Sequence, residues 1–487
     1  MMKNKTLCLF AAASLCAAWA PRGRCAAPPE TVATLFGRGA SFDPAAQLAG
    51  VNAAFEMKGA NIAATFAADG HVLFKPPGET WPLRDGNAIS ITLKNTGKTP
   101  AGPRLQAASQ NNGRTSPASL PKPLAPGATA TLTASFIPES PWTADEIRGR
   151  WNSIAPDTGT KFESMKANAI FLFANEGAQL EISRLDLVVE TEQNLPAWLG
   201  RQPPVPQAEW KDWKMSFNEK FDKPLDLHTW NIYTPNWWEQ TTHYSRDNVI
   251  VRGNTAALRF EKKRGPHNDD PNDSPNWGDN GHSDYACGYL DTYGKWTQRY
   301  GYFEARLKIP RAEGLTACFW MMPDRGRENG PEQWKRADTG NGGMEFDIME
   351  NLTGWGPYRF NQAFHWDGYH DDHKAVGSAW VYVRPDGKDG FFTVGMLWLP
   401  GRVVYYANGN EVGRWEDARI SSAQSNFIIS YGLGGWDNTP FDDAKLPADF
   451  VVDYVRAWQR ADLATPGDGP KPNSGRPGML SQNPDGK

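Results

Sequence analysis

Three carboxylates lie within six residues of an otherwise apolar segment. Glu345, Asp347 and Glu350 belong to residues 344–350, which read MEFDIME. Alternate residues of a β-strand point to the same face, so Glu345 and Asp347 share one. Glu350 would face the other way in a regular strand, but one β-bulge after Asp347 returns it to the same face. Two carboxylates flanking a glycosidic bond are the groups that acid/base and nucleophilic glycoside hydrolysis requires.

An acidic edge strand and a calcium site built from carboxylates are the alternative interpretations of these residues. The direction of Glu350 separates the acidic strand from catalysis, because a regular strand would bury this carboxylate at a large desolvation cost. In a catalytic strand the three acids face one aromatic-lined groove. Phe346 and at least one of Ile348 and Met349 then enter the core.

The segment 345–350 resembles the signature of glycoside hydrolase family 16, in the bulged form seen in laminarinases, agarases, porphyranases and κ-carrageenases. The resemblance covers residues 210–460 and implies an antiparallel two-sheet jelly roll whose concave face carries the catalytic strand. Four other segments resemble family motifs in the expected order, namely 300–306 (YGYFEAR), 319–323 (FWMMP), 391–409 and 452–456 (VDYVR).

The resemblance implies a role for each acid. Glu345 would attack the anomeric carbon and form a covalent glycosyl-enzyme. Glu350 would protonate the departing oxygen and then deprotonate the incoming water. Asp347 would hydrogen-bond the nucleophile and help to hold the two carboxyls in different protonation states. Because neighbouring like charges oppose ionisation, we expect one carboxyl to have a raised pKa. Because the resemblance implies a covalent glycosyl-enzyme, we expect the reaction to retain the anomeric configuration.

Aromatic and histidine residues near these motifs are the candidate substrate contacts. The chain has 21 Trp residues, whose broad faces stack on sugar rings, although we expect more than half of them in the core. Trp334 matches the aromatic floor that family members place under the sugar being cleaved, and Trp320 is a second candidate. His365 is expected to hydrogen-bond a sugar hydroxyl or a catalytic carboxylate. Trp237 and Trp366 complete the predicted substrate-binding set.

We expect no cofactor in catalysis. The three histidines His365, His370 and His373 lack a regular metal-ligand spacing, and family members need no catalytic metal. Asp453 matches a position that binds a structural calcium in some relatives. The partner glutamate of the family's "DEF" strand is not matched cleanly, because residues 219–221 read EKF. Asp453 is therefore the single candidate ligand of a structural calcium.

The length of 487 residues exceeds the size at which one core stops growing, which favours two folded domains. Period-two alternation in segments such as 88–95 and 180–187 predicts a first β-sandwich that binds carbohydrate or only braces the second domain. The predicted organisation is a signal peptide at 1–27, a smaller β-sandwich at 28–195, a proline-rich linker at 196–209, the catalytic jelly roll at 210–460 and a disordered tail at 461–487.

The N-terminus has the pattern of an export signal, with basic residues in 1–5, an apolar run in 6–20 and small residues at 25–27. A lipoprotein signal is the alternative. The run is too short to span a bilayer, so we expect a secreted, periplasmic or cell-surface protein without a membrane span. After cleavage Cys287 and Cys318 remain, either as one disulfide or as two small core residues.

The near balance of 51 basic and 55 acidic residues gives no reason to expect nucleic acid or an anionic membrane as partner. We expect a monomer acting on a polysaccharide, and a local basic patch for sulfated sugars stays open. The added sandwich and the long loops favour a marine galactan such as agar, porphyran or carrageenan. An endo-β-1,3-glucanase of the laminarinase kind is the alternative. A transglycosylase would use the same acids, whereas a non-catalytic carbohydrate-binding protein would not need both glutamates.

Overall fold

The computed structural model describes residues 29–136, 162–191, 195, 212–266, 282–324, 343–366 and 373–471, except for 82, 85, 235, 237–240, 386–388, 435, 437 and 438. Within these residues the chain is built almost entirely of β-strands, which confirms the predicted all-β class. The predicted signal peptide and linker lie outside the described residues. No helix in the described part is long and apolar enough to cross a membrane.

The first domain contains strands β1 to β9. One antiparallel sheet joins them in the order β6-β5-β8-β3-β9-β4-β7, with β1 on β9 and β2 on β3. The sheet curls until β5 and β6 approach β7, and it encloses an apolar core. The strand bounds are Thr31–Phe36, Leu48–Lys58, Asn61–Phe74, Asn87–Asn95, Arg104–Ser109, Ala118–Ser119, Thr129–Ser135, Ala167–Phe173 and Gln179–Val189, with a short α-helix at Pro44–Gln47 and a 3₁₀ turn at Ser164–Lys166.

The second domain contains strands β10 to β27. In chain order they are Trp213–Glu219, Thr242–Tyr244, Val249–Arg252, Thr255–Pro266, His282–Cys287, Tyr289–Asp291, Trp296–Thr297, Gly301–Lys308, Leu315–Pro323, Gly343–Leu352, Arg359–Trp366, Lys374–Tyr382, Phe392–Leu399, Arg402–Ala407, Asn410–Glu416, Ser425–Leu433, Ala448–Arg460 and Gly469–Pro470. In the described part of this domain, 3₁₀ turns lie at Arg246–Asn248, Thr353–Trp355, Asp443–Lys445 and Ala461–Leu463.

Two sheets of the second domain pack face to face. The larger has the order β11-β14-β13-β26-β17-β22-β23-β24, with β10 on β26 and β12 on β13, and the smaller has the order β15-β25-β18-β19-β20-β21. The Phe427 ring of β25 lies 5.7 Å from the Phe319 ring of β18 and 5.8 Å from the Phe303 ring of β17, so the core lies between the sheets. The opposite face of the smaller sheet is therefore free to carry a polar site.

The two domains meet beside the end of β19. Arg311 of the second domain donates to the Glu190 carbonyl of the first at 3.3 Å and to the Tyr358 hydroxyl at 2.6 Å. Gly86 and Gly356 approach so closely that a Cβ built on Gly356 would lie 2.9 Å from the Gly86 Cα atom. The first domain thus packs against the turn that follows the acidic strand.

Gly356 should not tolerate a side chain at this contact. Its φ of 78° and ψ of 174° lie in a region essentially reserved for glycine. We expect Gly356→Ala to lower the free energy of unfolding by about 1–3 kcal/mol. Gly86→Ala is the matched control, because its Cβ would lie 3.5 Å from the Gly356 Cα atom, an ordinary contact. Thermal unfolding of the two full-length variants measures the difference, and equal melting temperatures would contradict the prediction.

The chain keeps a defined structure beyond residue 460, so the predicted disordered tail is wrong for residues 461–471. Strand β27 pairs with β16. Asp468 accepts hydrogen bonds from the backbone N–H groups of Arg299 at 2.9 Å and Thr465 at 2.7 Å. These polar contacts order a segment that buries little apolar surface. Residues 472–487 lie outside the described part.

Cys287 and Cys318 are both free thiols, so the predicted disulfide alternative is wrong. Cys287 is a core residue, as the other alternative required, and its thiol donates to the Tyr431 carbonyl at 2.7 Å. Cys318 is not in the core. It stands directly opposite Glu350 across the β18–β19 pair and therefore faces the acidic site.

Candidate active site

A β-bulge in β19 brings the three acids onto one face. Across the β19–β20 pair, Asp347 stands opposite Ala363 and Glu350 stands opposite Asn361. Two residues of β19 between the acids therefore face a single residue of β20, which is the predicted bulge. The register with β18 shifts at the same place.

The residues between the acids fill the core. Phe346, Ile348 and Met349 are each fully buried, which satisfies the condition set by the catalytic interpretation. Buried Gln362 donates from its side chain to the Ile348 carbonyl at 2.9 Å, so the bulge does not leave this carbonyl unpaired. β19 has β18 on one side and β20 on the other, so the acidic edge strand is excluded.

His365 is bound to the central acid. Its Nε2 atom lies 2.9 Å from Asp347 Oδ2, and its Nδ1 atom lies 2.8 Å from His373 Nε2. Burial lowers the pKa of His365, but the hydrogen bond to Asp347 and the negative charges of Asp347 and Glu350 outweigh burial, so the pKa is raised. His365 thus contacts a carboxylate of the acidic site, which is one of its two predicted partners.

Glu350 has the properties of a group that exchanges protons. Burial and, after it, the negative charge of Asp347 raise its pKa to about 7. Hydrogen bonds from Asn361, whose Nδ2 is 2.9 Å from Glu350 Oε2, and from Trp436 act in the opposite direction. A carboxyl with a pKa near neutrality can both give and accept a proton at physiological pH.

Glu345 also resists ionisation in the free protein. Burial, the charge of Asp347 and a hydrogen bond with Asp347 hold its pKa well above the ordinary value, and Glu350 adds to the effect. One ligand atom each from Glu345, Asp347 and His365 lie within 4.8 Å of one another, a spacing that a metal ion would also need. The Asp347–His365 hydrogen bond already satisfies two of these groups, so the geometry is that of a hydrogen-bonded triad.

Trp320 lies on the floor of the acidic site. It pairs with Asp347 across β18 and β19, and its indole N–H donates to Ser430 Oγ at 3.0 Å. The side chain is largely buried. Its place agrees with the predicted sugar contact, which stays a prediction. Trp237 and Trp334 lie outside the described residues.

Trp366 belongs to the core, which corrects its prediction as a substrate contact. Its ring stacks with Phe364 at 5.8 Å and with Trp415 at 6.2 Å. The physical reason is the alternation along β20, since His365 faces the acids and the next residue must face the other way.

Asp453 forms an ion pair with Arg306, whose Nη1 lies 2.7 Å from Asp453 Oδ2. Both side chains are partly buried. The structural calcium stays a prediction.

Sequence reasoning missed Trp436 and Asn361. Trp436 is 56% exposed, hydrogen-bonds Glu350 and packs edge-on against Trp355 at 4.9 Å. A Trp after the glycine-rich segment 432–435 (GLGG) was the available signal, because such a loop gives a large ring little to bury against. Asn361 carried no signal, since its contact depends on the register of two strands.

Clustered carboxylates on one face of a sheet, one of them with a pKa raised to about 7, are the groups that glycoside hydrolysis uses, so this site is of the glycosidase class. Residues 236–455 match the family model "Glycosyl hydrolases family 16", the family that the motifs of the sequence resemble.

Several family members are similar to this chain. A beta-glucanase of Rhodothermus marinus is 26% identical over 258 residues, which are 50% of this chain and 79% of the relative. The endo-1,3-1,4-beta-glycanase EglC of Rhizobium meliloti (strain 1021) is 27% identical over 175 residues, which are 36% of this chain and 34% of the relative. The solved structure of SCLam, a non-specific endo-β-1,3(4)-glucanase, has a TM-score of 0.41 and 24% identity, covering 54% of this chain and 95% of the other. The chain spans about a third of the length of the Rhizobium meliloti relatives.

Proposed function

We propose that this chain is a retaining endo-glycoside hydrolase of β-linked polysaccharides. The observation that carries the proposal is the bulge in β19, which places Glu345, Asp347 and Glu350 on one face while the residues between them fill the core. The names of relatives described as endo-glycanases support the endo mode.

The proposed reaction has two displacements. The Glu345 carboxylate attacks the anomeric carbon while protonated Glu350 gives its proton to the departing oxygen, and a glycosyl ester forms on Glu345. Ionised Glu350 then removes a proton from water, whose oxygen attacks the anomeric carbon and releases Glu345. A second sugar in place of water would give transglycosylation, and product analysis distinguishes the two outcomes.

Glu345 must be ionised for the attack, although its surroundings raise its pKa. Protonated His365, 2.9 Å from Asp347, balances the charge of Asp347 and so lowers the cost of a second negative charge on Glu345. The raised pKa of His365 favours this protonated form. We therefore assign His365 a positioning and charge-balancing role.

The pH profile should report Glu350, because the first displacement needs its protonated form. We expect kcat/KM to fall as pH rises through about 7. Asn361→Ala removes a hydrogen bond that favours the ionised form, so the pKa of Glu350 rises and the alkaline limb moves to higher pH. Asn61→Ala is the control, since Asn61 makes the same 2.9 Å contact with Glu181 in the first domain. An alkaline limb that stays in place or moves to lower pH in Asn361→Ala would contradict the assignment.

A marine galactan is the proposed substrate, on the basis of the added sandwich and the long polar segments 262–283 and 324–343 that the sequence predicts as loops, most of which lie outside the described residues. A β-1,3- or mixed-linkage glucan is the second candidate, favoured by the relatives named glucanases. A reducing-end assay of the purified protein on agarose, porphyran, κ-carrageenan, laminarin and lichenan decides between them. Glu345→Gln serves as the blank, and activity on none of the five would overturn the proposed function.

We also propose that the chain is exported and acts as a monomer. The basic and apolar pattern of residues 1–27 supports export. Cell fractionation with N-terminal sequencing of the mature protein tests the first statement, and light scattering on the purified protein tests the second.

A further inference from the structure

A basic and aromatic surface covers the outer face of the first domain. We call it the Arg–Phe face and define it by Arg104, Arg114, His71, Phe171 and Phe173. His71 of β3, Phe173 of β8 and Arg104 of β5 stand directly opposite one another on adjacent strands. Directly opposed residues of antiparallel strands share a face, so these side chains form one cross-strand row.

The row points away from the core. Val72, Leu172 and Leu105, which alternate with its members along the same strands, are fully buried in the domain core. Arg104 is exposed, and Phe173 is partly exposed. The Arg–Phe face is therefore available to a ligand.

The aromatic rings and the guanidinium groups are layered. The Phe171 and Phe173 rings stack with centroids 5.8 Å apart. The Arg104 Cζ atom lies 4.5 Å from the Phe173 centroid, and the Arg114 Cζ atom lies 5.2 Å from the Phe171 centroid. The His71 ring packs 5.0 Å from Phe173. Cation–π contact with the rings holds both guanidiniums in place and reduces the entropy that a ligand would have to remove.

The two guanidiniums have positive charge without a carboxylate partner in the part of the chain that the structure describes. Arg114 donates to the neutral side chain of Gln106 at 3.4 Å. Other arginines differ, since Arg184 in the same domain pairs with Asp186 at 2.5 Å. Each guanidinium has five N–H donors, and most of those on Arg104 and Arg114 remain for an external anion.

We propose that the Arg–Phe face binds a sulfated polysaccharide. A sulfate ester stays ionised over the working pH range and, like guanidinium, is weakly hydrated, so the pair forms with a low desolvation cost. The exposed edges of the two rings offer contact to the apolar C–H faces of the sugars. A row of side chains across three strands suits an extended chain with charges along its length. The proposal extends the proposed function, because the polymer bound here would be the one delivered to the second domain.

Binding to uncleaved polymer tests the proposal separately from hydrolysis. The full chain carrying Glu345→Gln is titrated with κ-carrageenan and with chemically desulfated κ-carrageenan, and binding is followed by affinity electrophoresis and calorimetry. We expect the sulfated polymer to bind at least tenfold more tightly, and raising NaCl from about 0.05 to about 0.5 M to weaken binding, because exposed charges are screened. Arg104→Ala with Arg114→Ala should reduce the affinity at least tenfold.

Matched variants separate a specific site from general charge. Arg38→Ala with Lys94→Ala removes the same charge from exposed positions of the same domain and should leave binding unchanged. Phe171→Leu with Phe173→Leu should weaken binding although no charge is lost. Unaltered melting temperatures show that the domain stays folded.

Three results would overturn the proposal: equal affinity for the sulfated and desulfated polymers, equal losses in the two charge variants, or unchanged binding in the Arg104/Arg114 variant. In an otherwise wild-type chain the Arg104/Arg114 variant keeps normal turnover on a short soluble substrate. If the wild-type chain itself shows no turnover on that substrate, the proposed hydrolase is refuted, whereas the binding proposal is not. The two failures are therefore distinguishable.

Discussion

Glu345→Gln and Glu350→Gln each lower turnover on the preferred polysaccharide by at least about 10³-fold, the range expected when a positioned acid or nucleophile is removed. The amide matches the carboxyl in shape, so the fold should persist. Glutamine at 345 cannot form a stable glycosyl ester, and glutamine at 350 cannot donate the proton that the departing oxygen needs. Steady-state kinetics with circular dichroism measure both the loss and the integrity of the fold.

The leaving group of the substrate separates the two roles. An aryl glycoside with an acidic phenol needs little proton donation, so Glu350→Gln should regain much of the first displacement, whereas Glu345→Gln should stay inactive. Glu304→Gln is the control for loss of a buried carboxyl, because Glu304 accepts hydrogen bonds from Tyr302 and Tyr454 on the other sheet. Near-normal polysaccharide turnover in either active-site variant would contradict the role assignment.

The acidic strand was predictable from two rules of strand geometry. Alternation places Glu345 and Asp347 on one face. Two apolar residues separate Asp347 from Glu350, and a β-bulge that accommodates one extra residue returns Glu350 to that face. The structure places both Ile348 and Met349 in the core, although the prediction required only one of them. Local sequence was sufficient here because the bulge lies within one strand.

Contacts between strands were harder to predict. Asn361 and Cys318 face Glu350 because of the registers of β19 with β20 and β18, which a single sequence does not specify. Trp436 reaches Glu350 from the loop after β25, and the path of a loop depends on the whole fold. These residues became visible only when the sheet was assembled.

The wrong assignment of Trp366 has a different cause. His365 was predicted to face the acids, and alternation then directs Trp366 to the core, so the two predictions conflicted within one strand.

Residues 461–471 were predicted to be disordered but have a defined structure. Composition indicates how much apolar surface a segment can bury, but it does not indicate the hydrogen bonds that Asp468 accepts.

Deleting Met349 tests the bulge itself. The deletion shortens the motif to E-x-D-x-E, and a regular strand then keeps all three acids on one face. We expect hydrolysis to remain measurable because Glu350 stays opposite Asn361 once the extra residue is removed, and to be reduced because the fully buried Met349 side chain is lost from the core beneath the acids. Reducing-end kinetics and thermal unfolding of the full chain provide the two readouts.

Met349→Ala is the matched control, since it removes the same buried side chain and keeps the bulge. Truncating a buried Met costs about 2–5 kcal/mol, so the melting temperature should fall while the acids stay in register. The control should therefore keep a larger share of turnover than the deletion, even at similar stability. Total loss of hydrolysis in the deletion variant with unchanged melting would show that the three acids do not act from one face.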